Sequence, residues 1–324
     1  MSVRVGVVGV TGYAGAELVR LLLEHDGVEL AAVASRAAAG QRLDAVHPAL
    51  RGLSELVVGT PDVAALAQLD AVFLAVPHGA ARELAAGLEA AGAPRIIDLS
   101  ADHRHAKGWI YGQAEWHAAQ LAGATRIAVP GCFATAIALA IAPFVAAGRL
   151  AGPARVVAAT GSTGSGFAPS RATHHPERFV NMKAYKVLSH QHGPEITQFL
   201  TGLGPFPGLR FVPLSAPVDR GILATVFLQL DGGAVQTTKA VLDDLRAAYA
   251  GHPLVRVGPE SPELRQVRGT ALCDLSAVAD GDEVVVLSAI DNLGKGAAGQ
   301  ALQCLNLALS WPTHRGLRAA ALLP

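Results

Sequence analysis

The segment Val3–Val8 (VRVGVV), followed directly by Gly9–Gly15 (GVTGYAG), decides the fold of the first part of the chain. The β-branched run is typical of a buried parallel strand, and the apolar pattern over residues 16–25 predicts a helix after the loop. The three glycines, spaced G-x-x-G-x-x-G, allow a tight turn and let a ligand approach the backbone closely. Strand, loop and helix in this order form a variant of the dinucleotide-binding motif, whose helix N-terminus faces a pyrophosphate.

The end of the second predicted strand, Val28–Ala34, indicates which dinucleotide the loop would bind. Ser35 and Arg36 stand where NAD-selective proteins usually have an acidic residue. A hydroxyl and a guanidinium suit a ribose 2′-phosphate, so we expect NADP(H), although Arg36 could equally be a solvated surface side chain. The residues predicted to bind the cofactor here are Gly9, Thr11, Gly12, Tyr13, Ala14, Gly15, Ser35 and Arg36, with Pro77 and His78 after a strand predicted over 71–76.

A candidate nucleophile, Cys132, lies where the turn Pro130-Gly131 leads into an apolar helix predicted over residues 135–148. A thiol at a helix N-terminus meets unpaired N–H groups and the positive end of the helix dipole, and both favour the reactive thiolate. The alternative is that Cys132 is only a small buried apolar side chain.

Two histidines and a carboxylate follow later in the chain. If the backbone is extended, His190 and His192 share one face, and Glu195 opens a helix over residues 196–200. A metal cluster is the alternative, but the helical HExxH pattern and a cysteine pair are both missing, so no metal is predicted. We expect one of the two histidines, His190 or His192, to be the acid/base partner of Cys132, with Glu195 orienting its neighbour.

Two further glycine-rich segments, 161–166 and 291–300, are candidates for binding anions. The first lacks the Gly-Lys-Ser/Thr ending of nucleotide-hydrolase loops. It is either a small-residue loop that binds an anion or a flexible turn. The second opens the final helix and carries a lysine. From these segments we expect Ser162, Gly164, Asn292, Lys295 and Gly296 to bind the cofactor, and the residues expected to bind substrate are Arg104, Ser162, Arg178 and His192.

Length and composition limit the class of protein. At 324 residues the chain suggests two domains, and 51% hydrophobic content gives ample core. The 26 basic and 26 acidic residues balance, which argues against nucleic-acid or membrane partners. The three cysteines are widely spaced, so neither a disulfide framework nor a zinc site is expected. The first residues lack a charged leader with an apolar stretch, so we expect a cytoplasmic protein.

The element pattern predicts an α/β fold. We expect an N-terminal Rossmann-type dinucleotide-binding domain and a second α+β domain carrying a mostly antiparallel sheet, with the C-terminal helix returning to the first domain. The expected boundaries are residues 1–131 and 296–324 for the NADP-binding domain and 132–295 for the catalytic and oligomerisation domain. Exposed strands of the second domain favour a homo-oligomer, a dimer or a tetramer.

In six segments the chain resembles the N-acetyl-gamma-glutamyl-phosphate reductases, within the wider aspartate-semialdehyde dehydrogenase-like group. The matching segments, in the family's order, are Gly9–Gly15, Phe73–Gly79, Asp98–Arg104, Pro130–Ala136, Ala184–Ile196 and Asp291–Gln300. The chain departs from the family's motifs at Val129, Phe133-Ala134, Ala271 and Gln113-Ala114, where those proteins usually have Asn, Tyr-Pro, Asn and Leu-Pro.

The resemblance implies NADPH-dependent reduction of a small acyl phosphate to a semialdehyde in arginine biosynthesis, with Cys132 as nucleophile and His190 as acid/base residue. Residues 174–178 (HHPER) are also similar to sister reductases that act on a carrier-protein-linked aminoadipyl phosphate in lysine biosynthesis. Aspartate-semialdehyde dehydrogenase is a further alternative. A non-catalytic NADP-binding sensor would keep the first-domain glycines and not need Cys132 or the histidines.

Overall fold

The computed structural model describes residues 2–231, 236–317 and 320–321. The chain divides into two compact units, the first made of residues 1–131 and 297–318 and the second built on residues 132–296. The chain returns to the first unit between residues 296 and 297, whereas the sequence predicts this boundary between 295 and 296, one residue earlier. The predicted domains also include residues 232–235, 318–319 and 322–324, which lie outside the described part of the chain.

The first unit is a parallel α/β sheet. Its strands are β1 (Val3–Val8), β2 (Val28–Ala34), β3 (Ala71–Leu74), β4 (Ile96–Asp98), β5 (Ile110–Tyr111) and β6 (Arg126–Ala128). Their order is β2-β1-β3-β4-β6-β5, and each neighbouring pair is parallel. The helices are α1 (Tyr13–Leu23), α2 (Leu43–Val46), α3 (Val63–Leu66), α4 (Ala81–Ala90) and α5 (Ala118–Leu121). The predicted Rossmann-type arrangement is confirmed.

The core of this unit follows from the apolar runs read in the sequence. All four residues of β3 are buried, as expected for a central strand covered on both faces. Helix α1 starts at Tyr13, three residues before the predicted start, because Gly12 is the last residue with extended backbone. The C-terminal helix, Gly299–Ala308, packs against α1, α5 and β4, which confirms that it returns to the first unit.

The second unit is a mixed sheet with helices. Its strands are β7 (Ala154–Thr160), β8 (Lys183–Ala184), β9 (Leu209–Ser215), β10 (Ile222–Gln229), β11 (Val255–Val257), β12 (Cys273–Asp280) and β13 (Glu283–Ile290), in the order β11-β12-β13-β10-β7-β9-β8. The helices of this unit are α6 (Cys132–Ala146), α7 (His175–Arg178), α8 (His192–Leu203) and α9 (Thr238–Ala248). The C-terminal helix of the first unit, Gly299–Ala308, is numbered α10.

A mostly antiparallel sheet was predicted, and the pairings confirm it. Four of the six pairings among the described strands are antiparallel, while β7 pairs parallel with β9 and β11 with β12. Strand β9 pairs parallel with β7, because the connection between them, which includes α8, returns the chain in the same direction.

The face of this sheet that points away from α6 exposes apolar side chains. Phe227 of β10 pairs with Val285 of β13, which in turn pairs with Val278 of β12, so the three form one row across the sheet. Phe227 is 43% exposed and Val278 is 55% exposed. A row of this kind is unusual on a surface that stays in water, and it is typical of an interaction surface. No described helix has the length and apolar character needed to cross a membrane.

Helix α6 is the centre of the second unit. Every residue from Phe133 to Val145 is buried, and the helix packs against α8, α9, β7, β10 and β13. Pro143 lies inside it and has no N–H to donate to the Leu139 carbonyl one turn earlier. The Tyr249 hydroxyl donates to that carbonyl at 2.5 Å and supplies the missing hydrogen bond.

We expect Tyr249→Phe to lower the free energy of unfolding by about 1–3 kcal/mol, because a buried carbonyl loses its partner. Chemical denaturation measures the change. Pro143→Ala restores an N–H one turn from Leu139. The loss on removing the Tyr249 hydroxyl should therefore be smaller in the Pro143→Ala background than in the wild type. Equal losses in the two backgrounds would contradict this account of the proline.

Candidate functional site

The glycine-rich loop of the first unit has two glycines that the fold needs and one that it does not. A Cβ at Gly9, whose φ is +97°, would lie 2.3 Å from the Ala75 carbonyl oxygen, and one at Gly15 would lie 2.3 Å from the Gly9 oxygen. At Gly12 the nearest atom would be 3.6 Å away, an ordinary contact. Gly12 therefore leaves room at the N-terminus of α1, where a phosphate would approach the backbone.

The other predicted cofactor residues of this unit lie around the same loop. The hydroxyls of Thr11 and Ser35 are 3.2 Å apart, so the ends of β1 and β2 are held together. Arg36 is exposed at the start of a short 3₁₀ turn. Tyr13 and Ala14 are the first two residues of α1.

Pro77 and His78 follow β3, as predicted, and His78 also has a structural contact. Its Nδ1 accepts a hydrogen bond from the backbone N–H of Ala101 at 3.0 Å, which ties this loop to the one after β4. Asp98, at the end of β4, accepts hydrogen bonds from Ser100 and lies 2.7 Å from His103 Nδ1. This carboxylate therefore shapes the loop after β4. Contact of Pro77 and His78 with the cofactor stays a prediction.

The candidate nucleophile lies at the first position of a helix. Cys132 is the first residue of α6 and is half-buried. The backbone of Gly296 packs directly against it: a Cβ there would lie 2.7 Å from the Cys132 Cβ. Gly296 was predicted to bind the cofactor, and the structure shows that its missing side chain leaves space for Cys132.

An aromatic cluster joins the helix of Cys132 to the two histidines. The Phe133 ring meets the His190 ring edge-on at 5.3 Å between centroids, and the His192 ring at 6.1 Å. The histidine rings are 4.7 Å apart. Phe211 of β9 closes the cluster against both Phe133 and His190. Phe133, the neighbour of the candidate nucleophile in the sequence, therefore contacts the rings of both candidate acid/base residues.

The hydrogen bonding of His190 determines where its proton lies. Nδ1 accepts the backbone N–H of His192 at 3.1 Å, so in the neutral ring the proton is on Nε2. Burial, and to a smaller extent the positive charge of Lys186, lowers the pKa of His190 from 6.5 to about 4. At neutral pH this imidazole is uncharged and donates a hydrogen bond through Nε2.

The second histidine and the carboxylate lie on α8. His192 is the first residue of this helix, and its Nε2 lies 3.7 Å from Glu195 Oε1. The backbone here is helical, so the expectation of an extended segment with Glu195 opening a helix at 196 is wrong. The helix starts four residues earlier because Gln191 already has helical angles. The i,i+3 spacing of a helix brings Glu195 to His192 rather than to His190.

Tyr185 belongs to this cluster, although no role was predicted for it. Its ring meets the His190 ring edge-on at 5.7 Å. Burial raises the pKa of the Tyr185 hydroxyl well above 10, the charge of Cys132 raises it further, and Arg178 acts in the opposite direction. Tyr185 is thus within electrostatic reach of both the thiolate and the guanidinium. An aromatic five residues before a His-x-His pair was the available signal.

Arg178, predicted to bind a substrate anion, has an uncommitted donor. Nη2 donates to the Thr160 carbonyl at 3.3 Å, while Nε is buried with no hydrogen-bond partner within the described residues. Burial lowers the pKa of this guanidinium. The Thr160 hydroxyl is likewise buried without a partner in that part of the chain. Two buried unpaired polar groups close together suit an incoming anion.

The two glycine-rich segments of the second unit are joined to each other. The Asn292 amide donates to Thr163 Oγ1 at 3.0 Å and accepts from the Gly221 N–H at 2.7 Å. Its amide therefore fixes the short 3₁₀ segment Ser162–Ser165. A Cβ at Gly164, within that segment, would lie 3.3 Å from the Thr160 hydroxyl. Contact of Ser162, Gly164 and Asn292 with a cofactor stays a prediction.

Two predicted cationic residues are more enclosed than expected. Lys295 is completely buried, so the structure does not present its ammonium group to a ligand. Arg104 is 8% exposed and donates through Nε to the Val129 carbonyl at 2.9 Å. The guanidinium thereby braces the segment that precedes Cys132. The described residues contain no group of three His, Cys, Asp or Glu side chains placed to hold a metal ion.

The state of His190 can be tested by NMR. We expect the imidazole to remain neutral until the pH approaches its pKa of about 4, as followed by the ring carbon shifts of labelled protein. Lys186→Met should raise the midpoint, because removing a nearby positive charge favours the imidazolium form. A midpoint near the ordinary value of a histidine, or one unchanged by the substitution, would contradict the environment described above.

Comparison with known proteins matches both units. Residues 4–124 match the family described as "Semialdehyde dehydrogenase, NAD binding domain". Residues 132–292 match "Semialdehyde dehydrogenase, dimerisation domain". The second match supports a homo-oligomer, and the number of copies, two or four, stays a prediction that sedimentation equilibrium would test.

Solved structures with the same fold are aspartate-semialdehyde dehydrogenases. A probable enzyme of this kind from Pseudomonas aeruginosa has a TM-score of 0.76 at 21% identity, covering 95% of this chain and 99% of that one. The Candida albicans enzyme, solved with NADP, has a TM-score of 0.72 at 16% identity, covering 97% and 99%. At these identities the likeness establishes the fold alone.

Relatives similar along the whole sequence have a different name. The N-acetyl-gamma-glutamyl-phosphate reductase of Salinispora arenicola is 44% identical over all of both chains. That of Ectopseudomonas mendocina is 42% identical, covering 99% of this chain and 100% of the relative, and that of Methanocella arvoryzae is 39% identical, covering 99% of each. With such identity over full length, this chain belongs to the N-acetyl-gamma-glutamyl-phosphate reductase family of semialdehyde dehydrogenase-type enzymes.

Proposed function

We propose that this protein reduces N-acetyl-gamma-glutamyl phosphate to N-acetylglutamate 5-semialdehyde with NADPH and releases phosphate, as a step of arginine biosynthesis in the cytoplasm. One observation carries the proposal: Cys132 starts α6, and the next residue, Phe133, packs against the ring of His190. A nucleophile and a proton-handling group held by one cluster suit a covalent reduction.

Cys132 performs the first half of the reaction. Its thiolate attacks the acyl carbon, the bond from that carbon to the phosphate oxygen breaks, and inorganic phosphate leaves with the electron pair. The product is a thioester on Cys132. The position at the start of α6 stabilises the thiolate through the helix dipole and the unpaired N–H groups of the first turn.

His190 acts as a donor. Because its Nδ1 is occupied by the His192 N–H, its Nε2 proton is the one available to an oxygen that becomes negative at the acyl carbon. The low pKa keeps the ring from carrying a competing charge in the resting enzyme. When the carbon–sulfur bond breaks, aldehyde leaves and Cys132 returns to thiolate.

The first unit fits an NADP cofactor. Room at Gly12, the joined hydroxyls of Thr11 and Ser35, and the exposed Arg36 provide a pyrophosphate site and a cation for the 2′-phosphate. When bound, NADPH supplies the hydride for the reduction.

The second unit contains candidate ligands for the substrate anion. The buried Nε of Arg178 and the Thr160 hydroxyl suit the departing phosphate, and Ser162 and His192 lie on segments of the same unit. Arg104, in the first unit, is held by backbone carbonyls and acts on the Cys132 turn as a brace.

The alternatives predict other substrates or none. A carrier-linked aminoadipyl phosphate and an aspartyl phosphate require the same Cys132 chemistry, and the full-length relatives do not favour either. A sensor would bind NADP without turnover. An NADP-reduction assay with phosphate separates these readings, because N-acetylglutamate semialdehyde, aspartate semialdehyde and carrier-linked aminoadipate semialdehyde can be compared directly. Preference for the second or third aldehyde would contradict the proposal.

We expect Cys132→Ala to lower kcat by at least about 10³-fold, because the covalent route is lost, with NADPH binding retained. Steady-state assay and fluorescence titration of NADPH measure the two effects. Cys273→Ala is the matched control, since it removes a thiol buried in the same unit that touches Ser288 rather than the cluster. Substantial reductase activity of Cys132→Ala would rule out the thioester.

We expect Gly12→Ala to weaken NADPH binding by roughly ten-fold or more without lowering stability, because a Cβ there meets only ordinary contacts within the protein and occupies the approach of the pyrophosphate. Titration of NADPH and a thermal melt measure the two. Gly202→Ala, in α8 with open space around it, is the control for an added methyl group. Unchanged NADPH affinity would move the pyrophosphate away from this loop.

A further inference from the structure

The second unit contains a cavity of about 570 Å³ beside the histidine cluster. Its walls are the turn that precedes α8, the first two turns of that helix, and Leu209 and Phe211 of β9. His190 is part of the wall, and its ring also packs against Phe133. A molecule in this cavity therefore touches the same histidine that packs against Phe133, the residue after the proposed nucleophile. The volume is that of a small-molecule site.

The wall is polar without being acidic. Hydroxyl and amide groups come from Ser189, Gln191, Thr197 and Gln198, and the rest of the wall is apolar apart from His190. Ten described residues line the cavity and none of them is an Asp or Glu. Glu195, on the same helix, is 2% exposed and lies against His192 instead. An ammonium group would find no counter-charge in this wall, whereas a neutral amide would find both donors and acceptors.

A cation is bonded to the cavity wall. Lys186 Nζ donates to Gln191 Oε1 at 2.7 Å. An ammonium group has three donors, and this bond uses one of them. The charge of Lys186 also reaches His190, where it disfavours the imidazolium form. A carboxylate at this end of the cavity would gain an ion pair, while a second cation would be repelled.

The turn that carries Lys186 is held in an unfavourable backbone conformation. Lys186 has φ +44° and Leu188 has φ +56°, the left-handed region that side chains other than glycine rarely adopt. Backbone bonds from Leu188 to Phe211 and from Ser189 to Lys186, both 3.0 Å, hold the turn in place. Strain of this kind persists where the surrounding structure fixes it, and it occurs preferentially at ligand sites.

We propose that this cavity binds the N-acylated amino-acid end of the substrate, with Lys186 pairing with its α-carboxylate and the Gln191 amide hydrogen-bonding its acylamino group. The inference rests on the proposed function and identifies the residues that select its substrate. An amino acid with a free α-ammonium group lacks a counter-charge here and is disfavoured. N-acylation thus serves as a recognition feature of the substrate.

The experiment measures binding by calorimetry with two probes, N-acetylglutamate and glutamate, which differ in the acyl group. We expect the wild type to bind N-acetylglutamate at least about ten-fold more tightly than glutamate. Lys186→Met should weaken N-acetylglutamate by about 10- to 100-fold, because a charged hydrogen bond is lost. Gln191→Leu should reduce the preference for the acetylated probe. Lys183→Met, on exposed β8, is the matched control and should bind as the wild type does.

Turnover of N-acetylglutamate semialdehyde at about pH 8, where His190 is neutral with or without Lys186, completes the test. Lys186→Met should raise KM with kcat within about two-fold. If the wild type turns over this aldehyde, and Lys186→Met changes neither its KM nor its binding of the probes, the inference is overturned and the proposed function stands. Equal binding of both probes by the wild type would also overturn it. A wild type that discriminates the probes as expected, yet does not oxidise this aldehyde with NADP and phosphate, would contradict the proposed function and support the inference.

Discussion

Burial of α6 on all sides is the constraint on which the candidate site depends. From Phe133 to Val145 the helix has no solvent-facing side, so neither its rotation nor its register can change without disrupting the close packing around it. Cys132, at the start of this helix, is fixed by packing that it does not itself provide. Gly296 completes the constraint, because any side chain there would collide with the Cys132 Cβ. The packing of the core therefore fixes the position of the sulfur.

The same packing sets the chemistry of the acid/base group. Phe133 and Phe211 surround His190 with aromatic rings, and this burial is the main reason that its pKa falls to about 4. The His192 N–H then selects the tautomer. A histidine in this state is a poor base towards the Cys132 thiol at rest. The helix position of Cys132 has to supply the thiolate, and the histidine is kept for the oxygen of the intermediate. Burial of His190 is therefore the reason that we assign thiolate formation to the helix position of Cys132 and hydrogen-bond donation to His190.

The fold could be read from the sequence because its signals are local. The Val3–Val8 strand, the glycine loop and the helix after it are adjacent, so spacing alone predicts them. The cluster around Cys132 could be read only in part, because its members come from distant segments that tertiary packing brings together. Tyr185 carried only the signal of an aromatic residue five positions before the His-x-His pair. Lys295 was expected at a ligand, since a lysine after glycines resembles an anion site, but burial is a property of the whole fold.

Two of the departures from the family's motifs differ in how well packing explains them. Phe133 replaces the usual tyrosine, and its ring is 2% exposed among His190, His192 and Phe211, where a hydroxyl would need a buried partner. The substitution therefore keeps the aromatic contact and removes a hydroxyl that would need a buried hydrogen-bond partner. Gln113 is the opposite case: it stands where leucine is usual, both of its amide atoms are buried without a partner within the described residues, and nothing in the structure explains it. The first change preserves the surroundings of the catalytic pair, so divergence at that motif does not require divergence of mechanism.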